Sequence, residues 1–214
     1  VASQGFADSS RAKLEGRLNA ASEVIKEIES LPAKSIPMSI MGSATCVAVV
    51  PGYKKAAFVF GGTYGQGVVA CRTSRGWSAP AFIQMAGGSW GLQIGGQSTD
   101  LILIAVNRRG LQDLLKSKFK IGGDAAASAG PVGRNAAAAT NITLKSELLT
   151  YSRSQGLFAG IDLNGTVVNQ NTDDTRTFYG HDIPFLEILD VMVSTPPSAR
   201  RFVGTVARYF KQSQ

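Results

Sequence analysis

Ser and Asp are plentiful in this sequence of 214 residues, but most of the residue arrangements that carry catalysis are absent. His181 is the only histidine, which excludes a histidine pair or a histidine-rich metal site within one chain. No G-x-S-x-G motif presents a nucleophilic serine, and the phosphate-binding motif G-x-x-x-x-G-K-[ST] does not occur. We therefore expect a non-enzymatic protein without a metal or other cofactor. A serine triad built on His181 is the enzymatic alternative.

Two cysteines, Cys46 and Cys71, permit at most one intrachain disulfide and have no metal-binding spacing. Both lie in short apolar runs of the kind that form buried strands. We expect both side chains to be buried, and we favour free thiols over a disulfide.

The sequence concentrates positively charged residues in one region. The formal net charge is +7. Residues 35–136, here called the basic block, hold ten Lys and Arg but only three Asp, whereas the segments on either side are each neutral. A local excess of this kind favours an anionic partner, such as phospholipid, nucleic acid or an acidic protein surface. The alternative is a solvated face that only confers solubility.

The basic block is also rich in glycine, with 15 of the 24 glycines lying between Gly61 and Gly133. Many occur in pairs between short runs of Val, Ile, Phe and Leu, a pattern that predicts short strands joined by turns and bulges. The expected strands cover residues 45–50, 56–60, 65–72, 81–85, 92–94, 101–106, 118–121, 141–151, 157–163 and 166–169. We expect Pro51-Gly52 to form a turn and Asn164-Gly165 to form a hairpin.

Helical periodicity appears at both ends of the chain. A first helix is expected from Ser9 or Ser10 to Leu31, with an apolar stripe that includes Leu14, Leu18 and Ile28. Shorter helices are expected over residues 37–44, 108–117 (capped by Asn107), 183–192 (capped by Asp182) and 198–212. Packing on the sheet is the favoured role of the terminal helices, and peripheral membrane attachment is the alternative.

Several motifs follow one another in a fixed order. They are CVAVVPG and KKAAFVFGG within residues 36–62, GVVACR (67–72), GWSAP (76–80), WGLQIGGQSTD (90–100), KFKIGGDAAASAGPVGRN (118–135) and YSRSQGLFAGIDLNG (151–165). This series resembles the SYLF lipid-binding domain family over about residues 14–180. The sequences of these motifs are most similar to those of bacterial-type members.

The resemblance implies an α+β fold, with a barrel-like, mostly antiparallel β-sheet bordered by N- and C-terminal helices. Residues 1–34 would form an N-terminal amphipathic helix packed on the core. Residues 35–214 would form a single SYLF-like, β-rich domain with C-terminal helices. Bacterial members of the family are commonly exported or lipid-anchored. We therefore expect a cell-envelope, periplasmic or exported protein that is peripheral to the membrane. The chain does not begin with Met, which we interpret as processing or trimming.

The resemblance also implies a function. We expect non-enzymatic binding of anionic phospholipid headgroups, phosphoinositide-like or other acidic lipid, at a membrane surface. The alternative is a structural or protein-interaction domain whose basic face meets an acidic protein partner, which is actin-like in eukaryotic relatives. Nucleic acid is not an expected partner, because no recognised nucleic-acid-binding motif is present.

The candidate lipid-binding residues are Lys and Arg side chains, because lipid contact in the family is associated with basic residues and with the N-terminal helix. In the basic block they are Lys54, Lys55, Arg72, Arg75, Lys116, Lys118, Lys120 and Arg134. In the N-terminal helix they are Arg11, Lys13 and Arg17. Lys118 and Lys120 alternate with apolar residues, so we expect them on one face of a strand. Glycine-rich turns are expected to offer backbone N–H donors to a headgroup.

Overall fold

The computed structural model describes residues 2–30, 35–55, 62–87, 98–133, 141, 145–190 and 193–212, without the side chains of residues 2–9, Glu29 and Lys55. The helices are α1 (Ala2–Lys26), α2 (Met38–Ser43), α3 (Arg108–Leu115), α4 (Thr172–Tyr179), α5 (Phe185–Leu189) and α6 (Arg200–Tyr209). The strands are β1 (Cys46–Lys55), β2 (Thr63–Thr73), β3 (Gly76–Trp77), β4 (Ala81–Gly87), β5 (Thr99–Ala105), β6 (Lys118–Lys120), β7 (Ala127–Ala129), β8 (Leu148–Ser154), β9 (Leu157–Gly160) and β10 (Val167–Gln170).

These strands form one curled sheet. Eight of them follow the order β6-β10-β4-β2-β1-β5-β8-β7, while β3 pairs with β2 and β9 pairs with β8. Among the described pairs of strands, only β7 and β8 run parallel. A bridge between Ile121 and Ala125 lies in the turn that connects the two end strands, β6 and β7. The expected α+β fold, a barrel-like and mostly antiparallel sheet with helices at both ends, is therefore confirmed.

Two apolar cores lie on the two faces of this sheet, because successive residues of a strand point to opposite sides. The outer core joins α1 and α6 to the sheet through residues that include Leu14, Leu18, Ile25, Val47, Val68, Phe82, Phe202 and Val206. The inner core lies on the other face and includes Cys46, Ala48, Val50, Phe119, Leu163 and Ile188. The central strand β1 is therefore buried on both faces from Cys46 to Val50.

Cys46 and Cys71 are buried, as predicted, but they are joined in a disulfide, so the expectation of free thiols is wrong. The register of β1 against β2 places the two residues directly opposite each other, with 4.0 Å between their Cα atoms. The backbone N–H of Arg72 donates to the Thr45 carbonyl, so the neighbouring pair, Thr45 and Arg72, is a hydrogen-bonded pair. The cysteines therefore occupy a non-hydrogen-bonded pair, where antiparallel strands approach most closely.

Strand β1 continues through Pro51-Gly52, where the sequence predicted a turn. Its register shifts between Val50 and Tyr53, and Gly52 has a φ of 68°. The Gly52 N–H donates to Asp100 Oδ1 at 2.9 Å, so the residues form an irregularity within the strand. Lys54 consequently lies in β1 rather than before a new strand. The strands expected over 56–60 and 92–94 lie outside the described residues.

The prediction of a hairpin at Asn164-Gly165 is wrong. Gly165 has the positive φ of 87° that a tight turn favours, but the strand that follows, β10, pairs with β4 and β6 rather than with β9. The Gly165 N–H donates to the Ile121 carbonyl next to β6. The turn therefore carries the chain across to the other end of the sheet. Strand β8 also begins later than predicted, at Leu148 rather than Asn141.

The helix predictions hold for the apolar stripes better than for the ends. Leu14, Leu18 and Ile28 are buried, but α1 begins at Ala2 rather than after Ser9 or Ser10. Asn107 caps α3 as predicted, since its Oδ1 accepts from the Gly110 N–H at 3.0 Å.

The helix expected to begin after an Asp182 cap is short. It is α5, and Pro184 occupies its N-cap position.

Candidate binding surface

The structure divides the candidate basic residues into those that hold the fold together and those that face solvent. Arg72 belongs to the first group. Its guanidinium donates to the carbonyls of Ala44 (2.9 Å) and Phe210 (2.8 Å), and it lies 4.8 Å from the centroid of the Trp77 ring. Burial lowers the pKa of the Arg72 guanidinium. Arg72 therefore joins the ends of α2 and α6 to β2.

Arg17 also has internal partners. It donates to Asp174 Oδ2 at 2.6 Å and to Gln66 Oε1 at 2.7 Å, which ties α1 to the start of α4 and to β2. Its side chain keeps only 14% of its surface exposed.

Arg11 is exposed and pairs with Glu15 at 3.5 Å. Lys13 is exposed and has no ion pair with another described residue.

Lys116 is half exposed, but it is bonded to a buried carboxyl group. Its Nζ donates to Asp113 Oδ1 at 2.6 Å, and this bond raises the pKa of the Lys116 amine. Burial is the main cause that raises the pKa of the Asp113 carboxyl. The Lys116 amine opposes this rise, and the nearby Glu147 carboxylate adds to it.

Lys118 and Lys120 lie on one exposed face of β6, as predicted, because Phe119 between them points into the inner core. Lys54 is exposed on β1, opposite Tyr64 of β2. None of the three lysines forms an ion pair with another described residue. The backbone of Lys55 pairs with Thr63, and Arg134 lies outside the described residues.

Arg75 is exposed in the turn between β2 and β3. It lines a cleft of about 410 Å³ together with Thr73, Trp77, Ser78, Ala79, Val193, Ser194 and Thr195. The hydroxyls of Thr73 and Ser78 already have backbone partners. The Thr73 hydroxyl donates to the Gly76 carbonyl, and the Ser78 hydroxyl accepts from the Cys71 N–H. Arg75 lies beyond the Thr73 end of β2, whereas Lys54 lies opposite Tyr64 near the other end of that strand.

The glycine turns next to the lysines are not available as donors. The Gly122 N–H donates to the Ala125 carbonyl at 2.8 Å, and the Gly123 N–H donates to the Lys120 carbonyl at 3.2 Å. The Gly165 and Gly52 N–H groups also have acceptors within the chain. Any anion at this surface would meet lysine side chains rather than these backbone groups.

Most described carboxylates have partners within the chain, which the sequence did not reveal. Arg153 alone bonds Asp100 (2.7 Å) and Glu27 (2.8 Å), joining β5, β8 and the end of α1. Asp124, Glu147 and Asp162 each accept a backbone N–H. By contrast, the exposed cations without an ion pair to any described residue are Lys13, Lys54, Arg75, Arg108, Arg109, Lys118, Lys120, Lys145, Arg200, Arg208 and Lys211.

His181 is exposed, and its Nδ1 lies 3.2 Å from the carbonyl oxygen of Tyr179. Within the described part of the chain, His, Cys, Asp and Glu side chains do not gather in groups of three or more that could hold a metal ion. No helix in the described ranges is long and apolar enough to cross a membrane.

The chain is similar to several characterised proteins. The family described as "Ysc84: Las17-binding protein actin regulator" matches residues 86–209. Protein YSC84 of Saccharomyces cerevisiae is 34% identical over 168 residues, which cover 77% of this chain and 36% of that protein. SH3 domain-containing YSC84-like protein 1 of Xenopus laevis is 34% identical over 188 residues, which cover 84% of this chain and 56% of that protein.

The chain thus spans about a third to about half the length of these relatives. The family match covers more than half of the chain, and the resemblance in motifs extends over the same strands. The family description names a binding protein and actin regulator. The chain belongs to the Ysc84 (SYLF) family.

Proposed function

We propose that this chain is a non-enzymatic interaction domain that binds an acidic protein partner through its exposed lysine and arginine side chains. The observation that carries the proposal is that acidic side chains are mostly paired within the described part of the chain, whereas many basic side chains are not. Among the described residues, most carboxylates are engaged in ion pairs or backbone hydrogen bonds, whereas many cations are exposed without such partners. A surface of this kind attracts anionic partners over a range of about 10 Å at moderate salt.

The family description supports a protein as the partner, because it names Las17 binding and actin regulation. We extend only this chemistry to the present chain: the partner is a protein with an acidic surface, for which actin filaments and a Las17 fragment serve as test ligands. The shared region excludes about half or more of each relative named above, so their other activities are not carried over.

Cosedimentation with actin filaments, together with a binding assay against a Las17 fragment, tests this proposal. We expect saturable binding that weakens as salt rises, because exposed charges are screened. Binding to neither protein at low salt would contradict it.

An anionic lipid surface is the second candidate partner. Lys118 and Lys120, exposed side by side on β6, and the half-exposed Lys116 before them favour it. A lysine near an anionic leaflet contributes about 1 kcal/mol, so replacing all three by Gln would weaken binding by roughly two decades. Cosedimentation with phosphoinositide vesicles, anionic vesicles and neutral vesicles measures this. Equal binding by the parent and the folded variant would exclude these lysines as lipid contacts.

We also propose that the protein works in an oxidising compartment, such as the cell envelope or the exterior. The Cys46–Cys71 disulfide supports this location, because disulfides persist mainly where thiols are not kept reduced. Trapping thiols with an alkylating agent during cell lysis, followed by mass spectrometry, tests it. Full alkylation of both cysteines in the native host would contradict the proposed location.

A further inference from the structure

The outer face of the sheet carries a polar strip that runs across five strands. Its residues form two rows in register. The first row is Lys120, Val167, Ala86, Tyr64 and Lys54. The second row is Lys118, Asn169, Gln84 and Gln66. All nine side chains are exposed or half exposed, and Arg17 of α1 reaches Gln66 at the border of the strip.

The polar strip has positive ends and an uncharged middle. Lys118 and Lys120 lie at the β6 end, and Lys54 lies at the β1 end. Neither row contains Asp or Glu, and the nearby Asp174 is already paired with Arg17. The middle offers amides and a phenol, since Tyr64 is 39% exposed and its hydroxyl donates to Gln84 Oε1 at 3.3 Å.

The register also sets the distance between the two charged ends. Neighbouring strands lie about 4.8 Å apart, so the four spacings from β6 to β1 cover roughly 19 Å. An extended peptide advances about 3.3 Å per residue and would cross this distance in roughly six residues.

We infer that the polar strip docks an extended acidic segment of a protein partner. Two acidic positions roughly six residues apart would meet Lys118 and Lys120 at one end and Lys54 at the other. The amides of Gln84 and Asn169 both donate and accept, so they can bond the open backbone of an extended segment, whereas a helix satisfies its own backbone groups. The inference rests on the proposed function and adds the surface and the charge pattern of the partner.

The composition of the polar strip favours a protein segment over a membrane. Among the described residues, the other exposed large apolar side chains, Met38, Val132, Leu157 and Leu186, lie outside the two rows. A membrane-inserting face would present such side chains together.

Fluorescence anisotropy with three labelled peptides of equal length tests the spacing. The first has two Glu pairs whose centres lie about six residues apart, the second has the same composition with the pairs adjacent, and the third replaces Glu with Gln. We expect the spaced peptide to bind roughly tenfold more tightly than the adjacent one, because only it reaches both ends. Equal affinity of the two acidic peptides would overturn the inferred geometry.

Two variants of equal charge locate the surface. The strip variant carries Lys54→Gln, Lys118→Gln and Lys120→Gln. The control variant carries Arg108→Gln, Arg109→Gln and Lys211→Gln, which lie near the end of the sheet where Cys46 pairs with Cys71. We expect the strip variant to bind the spaced peptide roughly tenfold or more weakly, and the control to change by roughly twofold at most. Circular dichroism checks that both variants are folded.

Each other outcome has a distinct meaning. Equal losses in both variants would overturn the polar strip as the docking surface but leave the proposed function standing. Binding of vesicles but of no peptide, with loss in the strip variant, would make the occupant a lipid and overturn the inference. A parent that binds neither the peptides nor the acidic proteins would overturn the proposed function itself.

Discussion

The Arg72 guanidinium donates a hydrogen bond of 2.8 Å to the carbonyl oxygen of Phe210, which lies 138 residues further along the chain. The same guanidinium bonds Ala44 and stacks on Trp77, whose ring meets the Phe210 ring edge-on at 6.0 Å. The Arg72 side chain therefore links the ends of α6 and α2 to the sheet.

Replacing Arg72 by Ala should lower the free energy of unfolding by about 2–3 kcal/mol, because two part-buried carbonyls lose a charged donor and the stacking on Trp77 disappears. Urea denaturation measures the change. The matched control is Arg75→Ala, three residues away in an exposed turn, which should stay within about 0.5 kcal/mol of the parent. An Arg72→Ala protein with parental stability but weaker anion binding would instead assign Arg72 to the binding surface.

Removing the disulfide should destabilise the fold. Cys46 and Cys71 are 25 residues apart, and a cross-link over a loop of this length contributes about 3.5 kcal/mol through the unfolded chain. We expect the double variant Cys46→Ala, Cys71→Ala to lose about this amount in urea denaturation, and reductant should leave that variant unchanged. Alkylation of both cysteines in the unfolded protein without reductant would show that the bond is not present.

The buried Asp113 should make stability depend on pH. Its pKa in the folded protein is raised above the ordinary value of 3.8, so the folded state holds this proton more tightly than the unfolded chain. Its contribution to stability is therefore largest at acid pH and falls as the pH rises from near 3.8 through the folded pKa. Asp113→Asn should flatten this part of the decline, measured by urea denaturation between about pH 4 and about pH 7.

Lys116→Gln provides the opposite test of the same group. The Lys116 amine lowers the pKa of Asp113, so its removal should raise that pKa further and make the decline with pH steeper. If both variants kept the parental pH profile, Asp113 would not be the group responsible.

Two glycines should respond to the same substitution in opposite directions. A Cβ on Gly130 would clash with the ring of the buried Tyr151, whose hydroxyl donates to the Pro131 carbonyl. Gly130→Ala should therefore cost about 1–3 kcal/mol through overpacking. Gly16 lies in α1, and a Cβ there meets no atom within 4 Å, so Gly16→Ala should add about 0.5–1 kcal/mol. Thermal unfolding of the two variants measures both; shifts of the same sign would contradict this packing.

The sequence by itself determined the elements whose signals are local. The apolar stripe of α1, the Asn107 cap of α3 and the exposed alternation of Lys118 and Lys120 depend on spacings of a few residues. The order of the motifs was sufficient to identify the family and, through it, the curled α+β fold.

The tertiary structure decided which residues meet across long separations in the chain. Cys46 and Cys71 form a bond because of the register of β1 against β2, and β10 pairs with β6 and β4 although its local turn resembles a hairpin. The arginines could not be told apart from the sequence. In the folded chain Arg17 donates to Asp174 and Arg72 donates to the Phe210 carbonyl, whereas Arg75 is exposed. Local composition sets the number of charges, but only the packing of distant segments decides which of them are neutralised and which stay exposed to a partner.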